Sequence, residues 1–245
     1  MRRLILTALL SLTCAAKTHP RTHPIMKRIH PLIALLAFTS ALAAQTPPTT
    51  KLVTPTKLIV STAFNEDTPL IRKKAIHGWQ ASIGQWQVKD GALHGDVVAE
   101  DNHPSSCTWK LDATNLVITA QFRLGTATHV AFGCRDNIPP HHHLARTYIS
   151  KDAIWIVRQS GISKTSKSEK LAELKTPIDP DTWHSLTIEF SGDHYRATVD
   201  GHVVEAHHER YQDAKGLVAL ITKGQGAQFK NIALWHAEPS APTRP

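Results

Sequence analysis

Between positions 129 and 148 the sequence gathers His129, Arg135, His141, His142, His143, Arg146 and Tyr148 in what reads as one strand-loop-strand unit. Histidine is the side chain whose ordinary pKa already lies near neutrality, which suits a general base. A guanidinium or a divalent metal beside such a base can hold the enolate that forms when a proton leaves the carbon next to a carbonyl. The plainer alternative is that Pro139 to His143 is only a polar loop. Adjacent residues of a strand point to opposite faces, so the three consecutive histidines cannot all serve one site.

Other chemistries have less support. Most glycoside hydrolases use two carboxyl groups, one as acid and one as base or nucleophile. No Glu-x-Asp-x-x-Glu strand is present, and Glu189 and Glu205 sit on separate strands, alternating with apolar neighbours as outward residues do. There is no C-x-x-C pair for zinc or thiol redox chemistry, and no glycine-rich phosphate loop opens a helix, so no nucleotide cofactor is expected. A divalent metal stays open. Aromatic rings stack on the C–H faces of sugars, so Trp79, Trp109 and Trp155 are candidates for a binding platform.

The elements that must position these groups alternate. Residues 115–124 put Ile118, Ala120, Phe122 and Leu124 on one face and Thr119, Gln121 and Arg123 on the other. The same period recurs at 129–135, 153–159, 185–190, 195–199, 217–222 and 228–235. Between these runs lie Asp90-Gly91, Gly192-Asp193, Asp200-Gly201 and Gly224-Gln225-Gly226, residues that tolerate the positive φ of tight turns. Many short strands with regular turns predict an all-β sandwich or barrel. Residues 166–175 read equally as two helical turns or as a strand.

The chain has 245 residues and a 41% hydrophobic share, enough for a packed core. Its net charge of +8 is misleading. Arg2, Arg3, Lys17, Arg21, Lys27 and Arg28 precede residue 45 with no acid among them, which leaves 22 basic against 20 acidic residues in the body. A near-neutral body argues against a nucleic-acid partner. Met26-Lys27-Arg28, the apolar run from Leu32 to Ala43 and the small residues Ala41 and Ala43 read as an export signal, with mature protein from Ala44 or Gln45. That run is too short for a stable membrane span. A second signal-like stretch upstream, from Met1 to Ala16, marks Met26 as an alternative start. The expected organisation is a leader over 1–44, a Pro/Thr-rich linker over 45–57, one domain over 58–236 and a disordered tail over 237–245. The expected location is secreted or periplasmic. In such a compartment Cys107 and Cys134 either form a disulfide or remain buried thiols.

Three segments carry a family resemblance. They are Gly84-Gln-Trp86-Gln-Val-Lys-Asp90-Gly91-Ala-Leu93, then Trp183 to Asp193 with Val199-Asp200-Gly201, and then Gly216 to Leu220 with Gln228-Phe229-Lys230-Asn231-Ile232. The chain resembles the 3-keto-disaccharide hydrolase domain family over residues 58–236. The resemblance implies a concanavalin A-like jelly-roll sandwich of two antiparallel sheets, with Trp86, Trp183 and Trp235 in the core. It also implies a site on one sheet, carried over residue by residue. Gln121 stands where the family has a glutamate. The segment 128–135 keeps Arg135 but loses Asn-Ser-Gly, and 143–148 lacks the family's Tyr-Glu lead.

On that resemblance the catalytic candidates are His143, Arg135 and Arg146, with Gln121, His129 and Tyr148 binding substrate. The function implied is cleavage of glycosidic bonds in oxidised sugars, with carbohydrate as partner. The alternative is a lectin-like module that binds carbohydrate without catalysis. Convergence of Gln121, Arg135 and one of His129 or His143 in one groove would favour the enzyme with this site and their placement on opposite faces would sink it, whereas exposed aromatic rings lining the groove would favour the module.

Overall fold

The structure, a computed structural model, describes residues 46–162 and 165–241. The expected leader lies outside the described residues. The chain forms β1 (Val53–Thr62), β2 (Ala75–Ile76), β3 (Trp79–Ile83), β4 (Gln85–Lys89), β5 (Ala92–Asp96), β6 (Ser105–Ala113), β7 (Leu116–Arg123) and β8 (His129–Asp136). It continues through β9 (His143–Ile149), β10 (Ala153–Ser160), β11 (Lys167–Lys175), β12 (His184–Ser191), β13 (His194–Val199), β14 (His202–His207), β15 (Lys215–Lys223) and β16 (Ala227–Pro239). All pairings are antiparallel. The first sheet runs β14-β13-β12-β7-β16-β5-β4, with β1 also paired to β16, and the second runs β11-β10-β9-β8-β15-β6-β3-β2. This is a two-sheet jelly roll.

The predicted alternation decides the core. Ile118, Ala120, Phe122 and Leu124 are buried, and they meet Val130, Phe132, Leu144 and Ile156 of the second sheet. Phe122 packs edge-on to Phe132 at 6.2 Å between centroids, and Phe132 meets Phe229 at 5.8 Å, so aromatic rings knit the two layers at the centre. The hairpins close as their residues require. Asp90 and Gly91 (φ 52° and 73°) turn β4 into β5, and Asp200 and Gly201 (φ 46° and 87°) turn β13 into β14.

Strand pairing carries the domain past both ends read from the sequence. β1 begins at Val53, inside the supposed linker, and pairs Val53 with Pro239 and Thr54 with Glu238, inside the supposed tail. Residues 166–175 resolve as strand rather than helix, since β11 pairs along β10 from Ala153–Lys175 to Ser160–Lys167. Cys107 and Cys134 are unbonded, buried thiols. Both point inward, but β15 runs between their strands. Two strand spacings are about 10 Å, beyond the roughly 7 Å that a disulfide spans.

Among the described residues no helix is long and apolar enough to cross a membrane.

Candidate functional site

The outer face of the second sheet is set by the strands at its middle. On β8, Val130, Phe132 and Cys134 enter the core, so His129, Ala131, Gly133 and Arg135 point outward. Register then fixes their neighbours. Ala131 pairs with Tyr148, Gly133 with Arg146 and Arg135 with His143 on β9, across a bulge at Leu144. On β10, Trp155 lies beside Tyr148 and Val157 beside Arg146. On β15, Lys223 pairs with His129, Ile221 with Ala131 and Ala219 with Gly133. Ala131, Ala219 and Ile221 form a small apolar floor, against which Tyr148 and Leu217 pack.

Five of the six predicted site residues therefore share one face: His129, Arg135, His143, Arg146 and Tyr148. Gln121 does not. It lies on the outer face of the first sheet, where its Oε1 accepts a 2.7 Å hydrogen bond from Asn231. Phe122 beside it fills the core, so the whole sandwich separates Gln121 from Arg135. The three-residue convergence foreseen from the sequence is replaced by a cluster on β8 and β9 alone.

Within that cluster Tyr148 and Trp155 stack nearly parallel, 5.0 Å between centroids and 4° apart in plane. His129 meets both rings edge-on, at 5.1 and 6.1 Å. Arg146 donates from Nη1 to the Tyr148 hydroxyl at 2.8 Å, and its guanidinium lies 5.4 Å from the tyrosine ring centre. Its buried Nε has no hydrogen-bond partner. The Gly133 position has room for Arg146 because a Cβ there would stand 3.2 Å from that Nε.

His143 is 9% exposed. Its Nδ1 lies 3.4 Å from Ser166 Oγ, its buried Nε2 has no hydrogen-bond partner among the described residues, and the Gln159 side chain beside the ring favours its protonation. Burial, reinforced by the Arg135 and Arg146 guanidiniums, pulls its pKa down to about 4. Burial, with Lys223 and Arg146 beside it, does the same for His129, also to about 4. Both rings are neutral at physiological pH. Arg135 is lowered too, by burial and then by Arg146.

The remaining histidines serve structure. His141 Nδ1 binds the Asp136 carbonyl at 3.0 Å, and the His142 amide donates to the Asp136 carboxylate at 2.8 Å, closing the loop into β9. His208 accepts from the Arg210 amide at the start of a short 3-10 turn. Glu189 is no catalyst. Buried to 2%, it accepts the Lys51 and Leu52 amides at 2.8 and 2.7 Å.

The tryptophans divide differently from expectation. Trp79 is fully buried and donates to Thr62, and Trp109 leans on it at 5.6 Å, so neither belongs to a platform with Trp155. Trp183, expected in the core, lies half-buried between Arg123 and Lys230, with the ammonium 3.9 Å from its ring centre.

Among the described residues no three His, Cys, Asp or Glu side chains gather as metal ligands. The donor set on this face, two imidazoles hemmed by guanidiniums, does not fit a divalent ion. Positive charge here comes from arginine.

Residues 66–234 match the 3-keto-alpha-glucoside-1,2-lyase-like domain. The chain belongs to that family. It is a carbohydrate-active jelly-roll domain. Solved structures share the fold at low identity. One is a protein of unknown function with a galectin-like fold from Bacillus subtilis, at 10% identity, TM-score 0.55, 76% of this chain and 99% of that one. Porphyranase B from Zobellia galactanivorans matches at 11%, 0.53, 74% and 92%. The laminarinase from Rhodothermus marinus matches at 12%, 0.53, 76% and 99%. No curated protein matches the sequence significantly.

Sequence reasoning missed Lys223 and the floor residues Ala131, Gly133 and Ala219. Lys223 sits in a turn segment, and only the register of β15 against β8 brings it to His129.

Proposed function

We propose that this domain cleaves glycosidic bonds of 3-keto-glycosides by elimination. The observation that carries the reading is a neutral His143 beside two guanidiniums, with no carboxylate among the outward residues of the strands around them. Among the outward residues of β8, β9, β10 and β15 there is no Asp or Glu. Asp136 points the other way and is bound by Arg210.

Two-carboxylate hydrolysis therefore has no groups to run on. Elimination needs fewer. A keto group at C3 acidifies the proton on C2, and the leaving sugar on C1 is then one bond further along. His143 Nε2 takes the C2 proton, the electron pair moves to the carbonyl oxygen as an enolate, and its return forms the C1–C2 double bond and expels the C1 oxygen, which takes up the proton held by the His143 imidazolium. Arg146, tied to the Tyr148 hydroxyl before reaction, holds the enolate, and Arg135 adds positive charge beside it, so the charge forms in a field already aligned to it. As the enolate forms, its charge offsets the guanidiniums that depress His143, so the ring becomes more basic as it must accept the proton.

Turnover of 3-keto-glycosides, but not of their unoxidised parents, tests this. His143→Ala is expected to lower kcat by about a hundredfold or more, the usual worth of a general base. Turnover of unoxidised parents, or an unchanged kcat in the variant, overturns it.

A second reading, carbohydrate binding without catalysis, is favoured by the gathering of His129, Tyr148 and Trp155 on one face, partly exposed aromatic groups that can contact a sugar. Measurable glycan binding with no turnover of any keto sugar selects it. In either case we place the protein outside the cytoplasm, on the strength of the basic and apolar leader before residue 45. N-terminal sequencing of the mature protein checks this, with Ala44 or Gln45 as the expected first residue.

A further inference from the structure

The proposed reaction develops one negative charge, yet the face that would hold it carries more positive charge than one enolate can use. Arg135 and Arg146 stand on adjacent strands, one two positions along from the other's partner Gly133, and point the same way. Lys223 adds a third cation at the far end, beside His129. Neither arginine makes an ion pair with a carboxylate. Arg135 makes no side-chain hydrogen bond among the described residues, although it is half-buried.

That arrangement is costly in the empty protein. A half-buried guanidinium loses water from its donors without gaining acceptors, and a like charge beside it adds repulsion. Elsewhere among the described residues half-buried arginines have acceptors, and even Arg123, which has no carboxylate, donates to Gln228. Arg210 binds Asp136 and Asp213, Arg196 binds Glu205 and Arg158 faces Glu169. The nearest acid on the same face as Trp155 is Glu173, and Lys170 and Lys175 already hold it. Among the described half-buried arginines Arg135 alone has neither a carboxylate nor a side-chain hydrogen bond, and its five donors in a planar fork face outward from the sheet.

Resting on the carbohydrate reading above, we propose that the sugar bound on this face carries an anionic substituent, a carboxylate or a sulfate, and that Arg135 is the residue that recognises it. Arg146, fixed by Tyr148, serves the keto oxygen. Arg135, free of partners, reaches an acidic group on the same or the neighbouring sugar ring. The fork accepts either anion in a bidentate manner, which a lysine could not do. Beside the arginines the partly exposed Tyr148 and Trp155 offer apolar contact to a sugar ring, so the ligand is an acidic sugar rather than a bare anion.

The test is calorimetric binding to the full-length protein at low salt, using trigalacturonate, a sulfated galacto-trisaccharide and neutral cellotriose. At least one acidic probe is expected to bind roughly tenfold tighter than the neutral one, in line with a charge-assisted hydrogen-bonded pair. The probe that keeps the advantage names the substituent. In Arg135→Met the advantage should fall below about twofold. Arg135→Gln, which keeps most of the side chain's length, is the second variant in case the first does not fold. Lys230→Met, on the other sheet, should leave the advantage intact.

Equal affinity for acidic and neutral probes overturns the proposal, as does an advantage that survives loss of Arg135 or vanishes equally with Lys230. Failure of the elimination reading shows separately. Acidic preference without keto-sugar turnover leaves the proposal standing and removes the enzyme; turnover without acidic preference does the reverse.

Discussion

At the scale of single residues, the site is defined by what surrounds one imidazole. His143 is buried, with two guanidiniums near it and no acid, so its pKa falls to about 4 rather than lying near 6.5. The sign of the consequence follows. The ring is uncharged throughout the neutral range, and the acid limb of kcat/KM should appear near pH 4 instead of near 6.5. Arg146→Met removes one of the charges that oppose protonation, so the His143 titration, followed by its ring resonances, should move upward. A downward or absent shift would mean that burial alone sets the value. The thiols offer a second check. Burial raises Cys134 to about 12 and raises Cys107 as well, so neither forms thiolate at neutral pH. Both should resist an alkylating reagent in the native protein and react once it is unfolded, with no mass change on reduction alone. A loss of reactivity in the unfolded, unreduced protein would reveal a disulfide.

At the scale of elements, the strands that sequence reading found and those that it missed differ in a physical way. β7 is central with one covered face, so from Ile118 onward it alternates, and the alternation is visible in the residues, while β15 shows itself as a short apolar run between turn residues. β1 runs through Pro55 and pairs only with β16, and such an edge position tolerates proline because its N–H side needs no partner. β11 closes the other sheet with exposed Lys167, Glu169 and Lys170. Charges protect an edge from unwanted pairing, and the same charges spaced three and four apart read as helix. Glu189 shows what ties β1 down. Its carboxylate, buried behind residues 51 and 52, takes both their amides, with Arg196 Nε at 3.8 Å. Glu189→Ala leaves two amides unmatched and should cost about 1–3 kcal/mol in chemical unfolding. Faster hydrogen exchange at Lys51 and Leu52 than within β1 should accompany it; uniform exchange would show that the carboxylate does not hold the segment.

At the scale of the molecule, the fold class was legible because turns and periods are local, whereas the site was legible only in part because it depends on register between distant strands. Arg135, His143, Arg146 and Tyr148 sit close in sequence, and one hairpin brings them together. Gln121 has the parity of an outward residue, but parity does not say which sheet it leaves. Lys215 was invisible for the same reason. It lies on β15 yet turns inward, its ammonium donating to the Thr114 and Tyr211 carbonyls and lying 4.4 Å from the Phe190 ring centre of the first sheet. One buried cation thus links both layers. Burial lowers its pKa from 10.5 to about 8. Between those values the unfolded chain holds the proton and the folded one does not, so the free energy of unfolding rises with pH across that window. Below pH 8 both states are charged and the desolvation penalty is constant. Lys215→Met removes the titration, so the difference between wild type and variant should change by roughly 1–3 kcal/mol between pH 8 and 10.5, in favour of the wild type as pH rises. Parallel stability curves for the two proteins would show that the ammonium is as well solvated in the fold as in water, and that the two carbonyls and the phenyl face fully replace what burial removes.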